Sequence, residues 1–168
     1  MRDAPDNQGV YLIPAFVGLG APYWRPNARA VINGLNRGTG KAHIIRAALE
    51  SIAYQVHDAV QLLESTSGVS IGELRADGGA ADNALLMQFQ SDIWMRKVKR
   101  SGATELFALG SVYLGGLAVG LWNSIEELQK KDLCEISYVP KMEAIARKNC
   151  LSGWSKAVNA LLREVDDL

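Results

Sequence analysis

The chain has 168 residues, 48% hydrophobic and 21% charged, which suits one compact domain and excludes a largely disordered one. Eighteen basic residues balance eighteen acidic ones, so no global field draws the chain to nucleic acid or to an anionic membrane. The opening MRDAPDNQG lacks the apolar core of a signal peptide, and glycines interrupt the longest apolar stretch (106–122) short of the roughly 20 residues a membrane helix needs. A soluble, cytoplasmic protein is expected. Cys134 and Cys150 have no metal-ligand spacing; a single disulfide would fit them, but nothing marks a secreted scaffold and they are read as reduced thiols.

Residues 1–8 are polar and read as a flexible tail, leaving 9–168 as the domain. Gly9–Phe16 reads as a short buried strand limited by Pro14. The glycine- and proline-punctuated stretch Val17–Gly40 is a long irregular connection, with room for one strand near Ala30–Leu35. From His43 to Glu64, Ile45, Ala48, Leu49, Ile52, Val56, Ala59, Val60 and Leu63 recur at three- and four-residue steps, predicting a helix that buries this face. Thr66, Ser67 and Gly68 close it.

Glu73–Gly79 reads as a strand ending in a glycine turn, and Asp82–Trp94 as a helix with Leu85, Leu86, Phe89 and Ile93 on one side. Arg96–Arg100 reads as a charged edge strand. Glu105–Leu121 reads as a helix whose glycines let it lie close to a neighbour, Ser124–Gln129 as a helical turn, and Ala144–Val165 as a final amphipathic helix. Strands alternating with helices predict an α/β layer with parallel pairing among the later strands. Three or four strands offer too little surface for this many helices, so the sheet reads as part of a larger one.

The clearest local signal for chemistry is Arg75-Ala76-Asp77-Gly78-Gly79-Ala80-Ala81-Asp82-Asn83. A strand running through Gly-Gly into a helix presents free backbone N–H groups, and glycines lacking Cβ admit a phosphate or nucleoside to the backbone. Asn83 offers a donor and an acceptor to a base or ribose. A tight turn with Asp82 as helix N-cap explains the same residues, and neither GxGxxG nor GxxxxGK[ST] is present. Pro14–Trp24, aromatics among glycines and prolines, reads either as an ordered loop over a cleft or as an aromatic plug for the core. His43 and His57 read as structural or surface residues, and the 96–100 basic run as a solvated edge.

Four stretches in order resemble the FGGY family of carbohydrate kinases: Val10–Trp24, Gly34–Gln55, Asp77–Ile93 and Ala108–Leu121. The string PAFVGLGAPYW points, within the family, to the C-terminal part of the members that phosphorylate glycerol. The resemblance implies a partial actin-like, ribonuclease H-like ATPase domain, α/β, with helices on a mixed, incomplete sheet. It implies ATP and Mg²⁺ as cofactors and transfer of the γ-phosphoryl group to a primary hydroxyl of glycerol. The Gly78-Gly79 turn would border the nucleotide, with Gly79 and Asn83 carried over as binding residues. In the family the polyol pocket, the catalytic aspartate base and the first phosphate-binding hairpin precede the region present here. The chain is thus expected to hold no catalytic residue and no metal ligand of its own, and to be inactive without that N-terminal part. An N-terminal kinase half or a homo-oligomer is the expected partner. The alternatives are a non-catalytic remnant serving as an interaction module, and a kinase for another polyol or sugar.

Overall fold

A computed structural model describes residues 6–102, 106–129 and 136–166. Its strands are β1 (Tyr11–Ile13), β2 (Val31–Asn33), β3 (Glu73–Ala76), β4 (Lys97–Arg100) and β5 (Ile136–Tyr138). Its helices are α1 (Lys41–Ser67), α2 (Ala84–Trp94), α3 (Leu106–Ala118), α4 (Ile125–Gln129) and α5 (Ala144–Asp166). β1 and β2 form an antiparallel pair; β3, β4 and β5 form a second sheet in that order, with β3–β4 parallel and β4–β5 antiparallel. Pairing among the later strands is therefore mixed, and α2 is the crossover between the two parallel strands.

Pro14 stops β1 after Ile13, because a proline nitrogen cannot donate to the ladder. α1 starts at Gly40, whose N–H donates to His43 Nδ1 at 3.0 Å, and ends where Gly68 takes a left-handed conformation (φ 69°). His43 thus closes the first turn. Near the N-terminus, buried Asn7 donates its side-chain amide to Glu50 Oε2 at 2.8 Å. Burial pushes the Glu50 carboxyl up, while Arg46, with Nε 2.7 Å from Oε1, and Asn7 pull it back.

Tyr54 is the hub of the core. Its ring stacks on Trp154 of α5 (centroids 5.0 Å apart, 13° between planes) and meets Phe89 of α2 edge-on at 5.5 Å. Tyr11 of β1 completes the cluster at 5.9 Å from Tyr54. This core requires a different face of α1 from the one its hydrophobic periodicity marks. Ala47, Glu50, Ser51, Ala53, Tyr54, His57 and Val60 are buried, whereas of the apolar stripe only Val60 is. Ile45, Ile52 and Leu63 are 39%, 41% and 57% exposed.

Two further expectations change. β4 is the central strand of its sheet, with Val98 fully buried, because β5 pairs on its far side. Its charges are held by partners: Lys99 Nζ lies 3.3 Å from Glu73 Oε2, and Arg100 pairs with Asp82. On α3 the glycines do not bring a neighbouring backbone close. A Cβ at Gly110 or Gly115 would meet open space, and only Gly116 is pressed, by the Trp122 ring. Val112 and Leu114 are exposed because no described element covers that side of the helix. Glu105, Lys130, Lys131 and Cys134 lie outside the described residues; Cys150 is a free thiol whose pKa burial raises. No helix among the described residues is long and apolar enough to cross a membrane.

Candidate functional site

β3 and β4 run parallel with Ala76 opposite Arg100, so their C-terminal ends open on the same rim. In open α/β sheets this rim is where ligands gather. After Ala76 the chain turns through exposed Asp77 into Gly78, whose φ of 84° with ψ of 170° belongs to a region essentially restricted to glycine. Gly79–Asp82 then forms one 3-10 turn before α2 begins. A Cβ built at Gly78 or Gly79 meets nothing within 4 Å, so the space in front of this turn is open.

The sequence expectation of Asp82 as N-cap is corrected by one residue. Asn83 caps α2, its Oδ1 accepting from the N–H groups of Leu85 (3.1 Å) and Leu86 (3.2 Å). Asp82 is turned outward and pairs with Arg100. The 3-10 turn makes the difference, since it delays the first α-helical residue to Ala84. The Asn83 Oδ1 is therefore committed to the helix, and its amide NH₂ is the group left to face a ligand.

Below the turn lies a cavity of ≈ 310 Å³ between α1, β3 and α2. Its lining includes the apolar Ile52, Val56, Leu74 and Leu86 together with Arg75, Ala76, Asp77, Ala80 and Ala81. Gln90 is the neutral polar side chain in the lining. Gly78, Gly79 and Asn83 follow one another in the turn from β3 to α2, next to this cleft in the chain but not among the residues that line it.

A second cavity, ≈ 440 Å³, lies on the other flank of α1 under the Pro14–Tyr23 loop. Tyr23 Oη donates to Asp58 Oδ2 at 2.6 Å, and the Trp154 indole N–H donates to the same oxygen at 2.7 Å. Burial, then the bond to the Asp58 carboxylate, raises the Tyr23 phenol well above its ordinary value, so it stays a donor. Phe16 and Trp24 are 74% and 69% exposed. The segment is accordingly a loop over a cleft, tied down by Tyr23, and not an aromatic plug. Asp58 carries no local sequence signal, because its partners are 35 and 96 residues away in the chain. The tyrosine within a glycine–proline loop was the one available hint.

Residues 1–119 match the C-terminal domain of the FGGY family of carbohydrate kinases. The chain belongs to this family. Over 157 residues it is 52% identical to the glycerol kinase of Enterobacter sp. (strain 638), covering 94% of this chain and 31% of that protein. Over 153 residues it is 54% identical to the glycerol kinase of Petrotoga mobilis, again covering 31% of the relative. Among solved structures, Plasmodium falciparum glycerol kinase with ADP superposes with a TM-score of 0.82 at 38% identity, covering 96% of this chain and 32% of that one. Gluconate kinase from Lactobacillus acidophilus, at 24% identity and a TM-score of 0.78, shares the fold. The chain is thus a partial α/β domain of the actin-like, ribonuclease H-like type, spanning under a third of the length of the glycerol kinases it matches.

Proposed function

We propose that this chain is the ATP-facing C-terminal portion of a glycerol kinase-like enzyme, active only together with the preceding portion of such a kinase. The observation that carries the reading is the Gly78-Gly79 turn. It stands at the C-terminal rim of two parallel strands, with unobstructed space where side chains would otherwise project.

In this reading a nucleotide approaches the backbone at Gly79, and the Asn83 amide donates to it while its carbonyl oxygen holds the helix end. The apolar cleft beneath the turn suits the flat face of a base, and the rim suits the more polar ribose or phosphates. The reading places Mg²⁺ on the nucleotide phosphates, where it would neutralise charge during phosphoryl transfer. Chemistry of this kind depends on positioning, so the chain's contribution is to bind and orient the nucleotide. Abstraction of the glycerol proton is left to the preceding portion.

The test is a glycerol phosphorylation assay on the chain alone and co-expressed with the preceding portion of a glycerol kinase relative. Activity only in the co-expressed complex supports the reading. Activity of the chain alone overturns the assignment of the base to the other portion. A folded complex with neither activity nor ATP binding overturns the nucleotide site and leaves a binding module.

A further inference from the structure

The turn between β3 and α2 is seated on the fold at its far end and bare at its near end. Ala81 is buried at 3% exposure and joins the core, and Asn83 fastens the start of α2 through its bonds to Leu85 and Leu86. The Ala81 N–H donates to the Gly78 carbonyl at 2.9 Å, closing the 3-10 turn. Asp77 and Ala80 are exposed, and neither Gly78 nor Gly79 has a side chain to hold it. In the run Gly79-Ala80-Ala81-Asp82 the single charged side chain is Asp82, and it pairs with Arg100.

Arg100 is a fixed point. It ends β4, in register with Ala76 of β3 on one side and Ile136 of β5 on the other. The next N–H, of Ser101, donates to the Ala76 carbonyl at 3.4 Å and carries the pairing to the foot of the turn. The Arg100 side chain is 21% exposed and that of Asp82 51%, so the pair lies at the surface, where ion pairs contribute little to folding.

We propose that the Asp82–Arg100 ion pair is a latch that holds the Gly78–Asp82 turn in the shape a nucleotide meets, with both side chains acting as positioning residues and not as ligands. The proposal rests on the nucleotide reading above. Glycine backbone has the most conformations to lose on ordering, and a ligand that needs one of them binds more weakly by the fraction of time the turn spends in the others. Tying Asp82 to a central strand raises that fraction before the nucleotide arrives. Charge alone gives the opposite expectation for Asp82. A carboxylate near an anionic triphosphate repels it, and removing that carboxylate frees the Arg100 cation to attract it. The sign of one substitution therefore separates a latch from a simple charge effect.

The experiment measures ATP affinity and steady-state glycerol phosphorylation in the complex of this chain with the preceding portion of a glycerol kinase relative. Asp82→Ala is expected to weaken ATP binding about two- to fivefold, the range open to an exposed ion pair. KM for ATP rises by the same factor with kcat unchanged, and amide exchange at Gly79–Asn83 quickens before nucleotide is added. Asp82→Glu, which keeps the carboxylate, restores affinity to within about twofold. In an Arg100→Gln background, Asp82→Ala brings no further loss, because the latch is already open. An unaltered circular dichroism melt shows that each variant folds.

Tighter or unchanged ATP binding by Asp82→Ala overturns the latch, as does a fall in kcat at constant KM. Equal losses with and without Arg100 overturn it too, since Asp82 then acts by another route. If Gly79→Val abolishes ATP binding while Asp82→Ala is neutral, the latch fails and the nucleotide reading stands. A folded complex that binds no ATP, or whose affinity Gly79→Val leaves unchanged, overturns the nucleotide reading and the latch with it.

Discussion

The Asp58 carboxylate joins the loop after β1 to the last helix: its Oδ2 accepts the Tyr23 hydroxyl at 2.6 Å and the Trp154 indole N–H at 2.7 Å. One oxygen on α1 thus ties down a loop and positions the ring that stacks on Tyr54. Hydrogen bonds to a charged acceptor contribute about 1.5–3 kcal/mol each, against about 1 kcal/mol for neutral pairs. Asp58→Ala is expected to lower stability by about 2–4 kcal/mol, because both donors lose their acceptor. Asp58→Asn, which keeps an accepting oxygen, costs less than half as much. Urea titration followed by tryptophan fluorescence checks both.

Gly153 on α5 lies against Tyr11, where a Cβ would fall 2.0 Å from the hydroxyl oxygen and 2.4 Å from the ring carbon that bears it. Helix propensity alone predicts that Gly153→Ala stabilises by about 1 kcal/mol. The tyrosine ring cannot yield as a flexible chain end would, and its hydroxyl donates to the Cys150 carbonyl at 3.3 Å. Gly153→Ala is therefore expected to destabilise by about 1–3 kcal/mol, as overpacking does. The sign of the shift in thermal midpoint decides between the two effects.

Gly78 and Gly79 separate stability from binding. At Gly78, φ of 84° penalises any side chain, so Gly78→Ala is expected to cost about 1–3 kcal/mol with or without nucleotide. Gly79 has no such conformation and open space before it, so Gly79→Val leaves the fold standing and fills the proposed approach to the backbone. ATP affinity of the co-expressed complex is expected to fall by about tenfold or more, equivalent to ~1.4 kcal/mol. Calorimetric titration showing unchanged affinity removes the turn from the site.

Asn83→Ser distinguishes a cap from a ligand. Serine caps helices nearly as well as asparagine, so stability is expected to move by under about 0.5 kcal/mol. The amide donor is lost, and ATP affinity falls with it if that group faces the nucleotide. Asn83→Ala loses both, at about 1 kcal/mol of stability.

His57 makes stability depend on mildly acidic pH. Burial lowers its pKa below 6.5; Asp58 and Glu64 oppose that shift and Arg147 adds to it, and Nδ1 has no partner. The unfolded chain therefore takes up the proton first, so stability present above about pH 6.5 is lost as pH falls through the folded-state value. Glu50 acts in the opposite sense. Its raised pKa contributes stability below 4.5 that is lost as pH rises through the folded value. His57→Phe is expected to flatten the decline below pH 6.5, as seen in denaturation midpoints measured as pH falls from that value.

Most elements were legible within a few residues because their signals are local. The glycine turn at 78–79, the α2 periodicity and the glycine stop at 68 depend on neighbours within one helical turn. β5 was missed because Ile136–Tyr138 is too short for alternation to register, and that omission made β4 read as an edge. The N-cap was placed at Asp82 because either residue has capping chemistry and only the intervening 3-10 turn selects Asn83.

By itself the sequence determined the order of the strands and helices apart from β5, the family and the glycine turn at 78–79. These depend on residue type and short spacing. Only the tertiary structure decided which side of α1 faces the core, because periodicity marks an apolar stripe without naming its partner. Tyr54, His57 and Glu50 are buried since Trp154, Phe89 and Asn7 meet them from elsewhere in the chain. Of the apolar stripe, Val60 reaches the core while Ile45, Ile52 and Leu63 stay exposed.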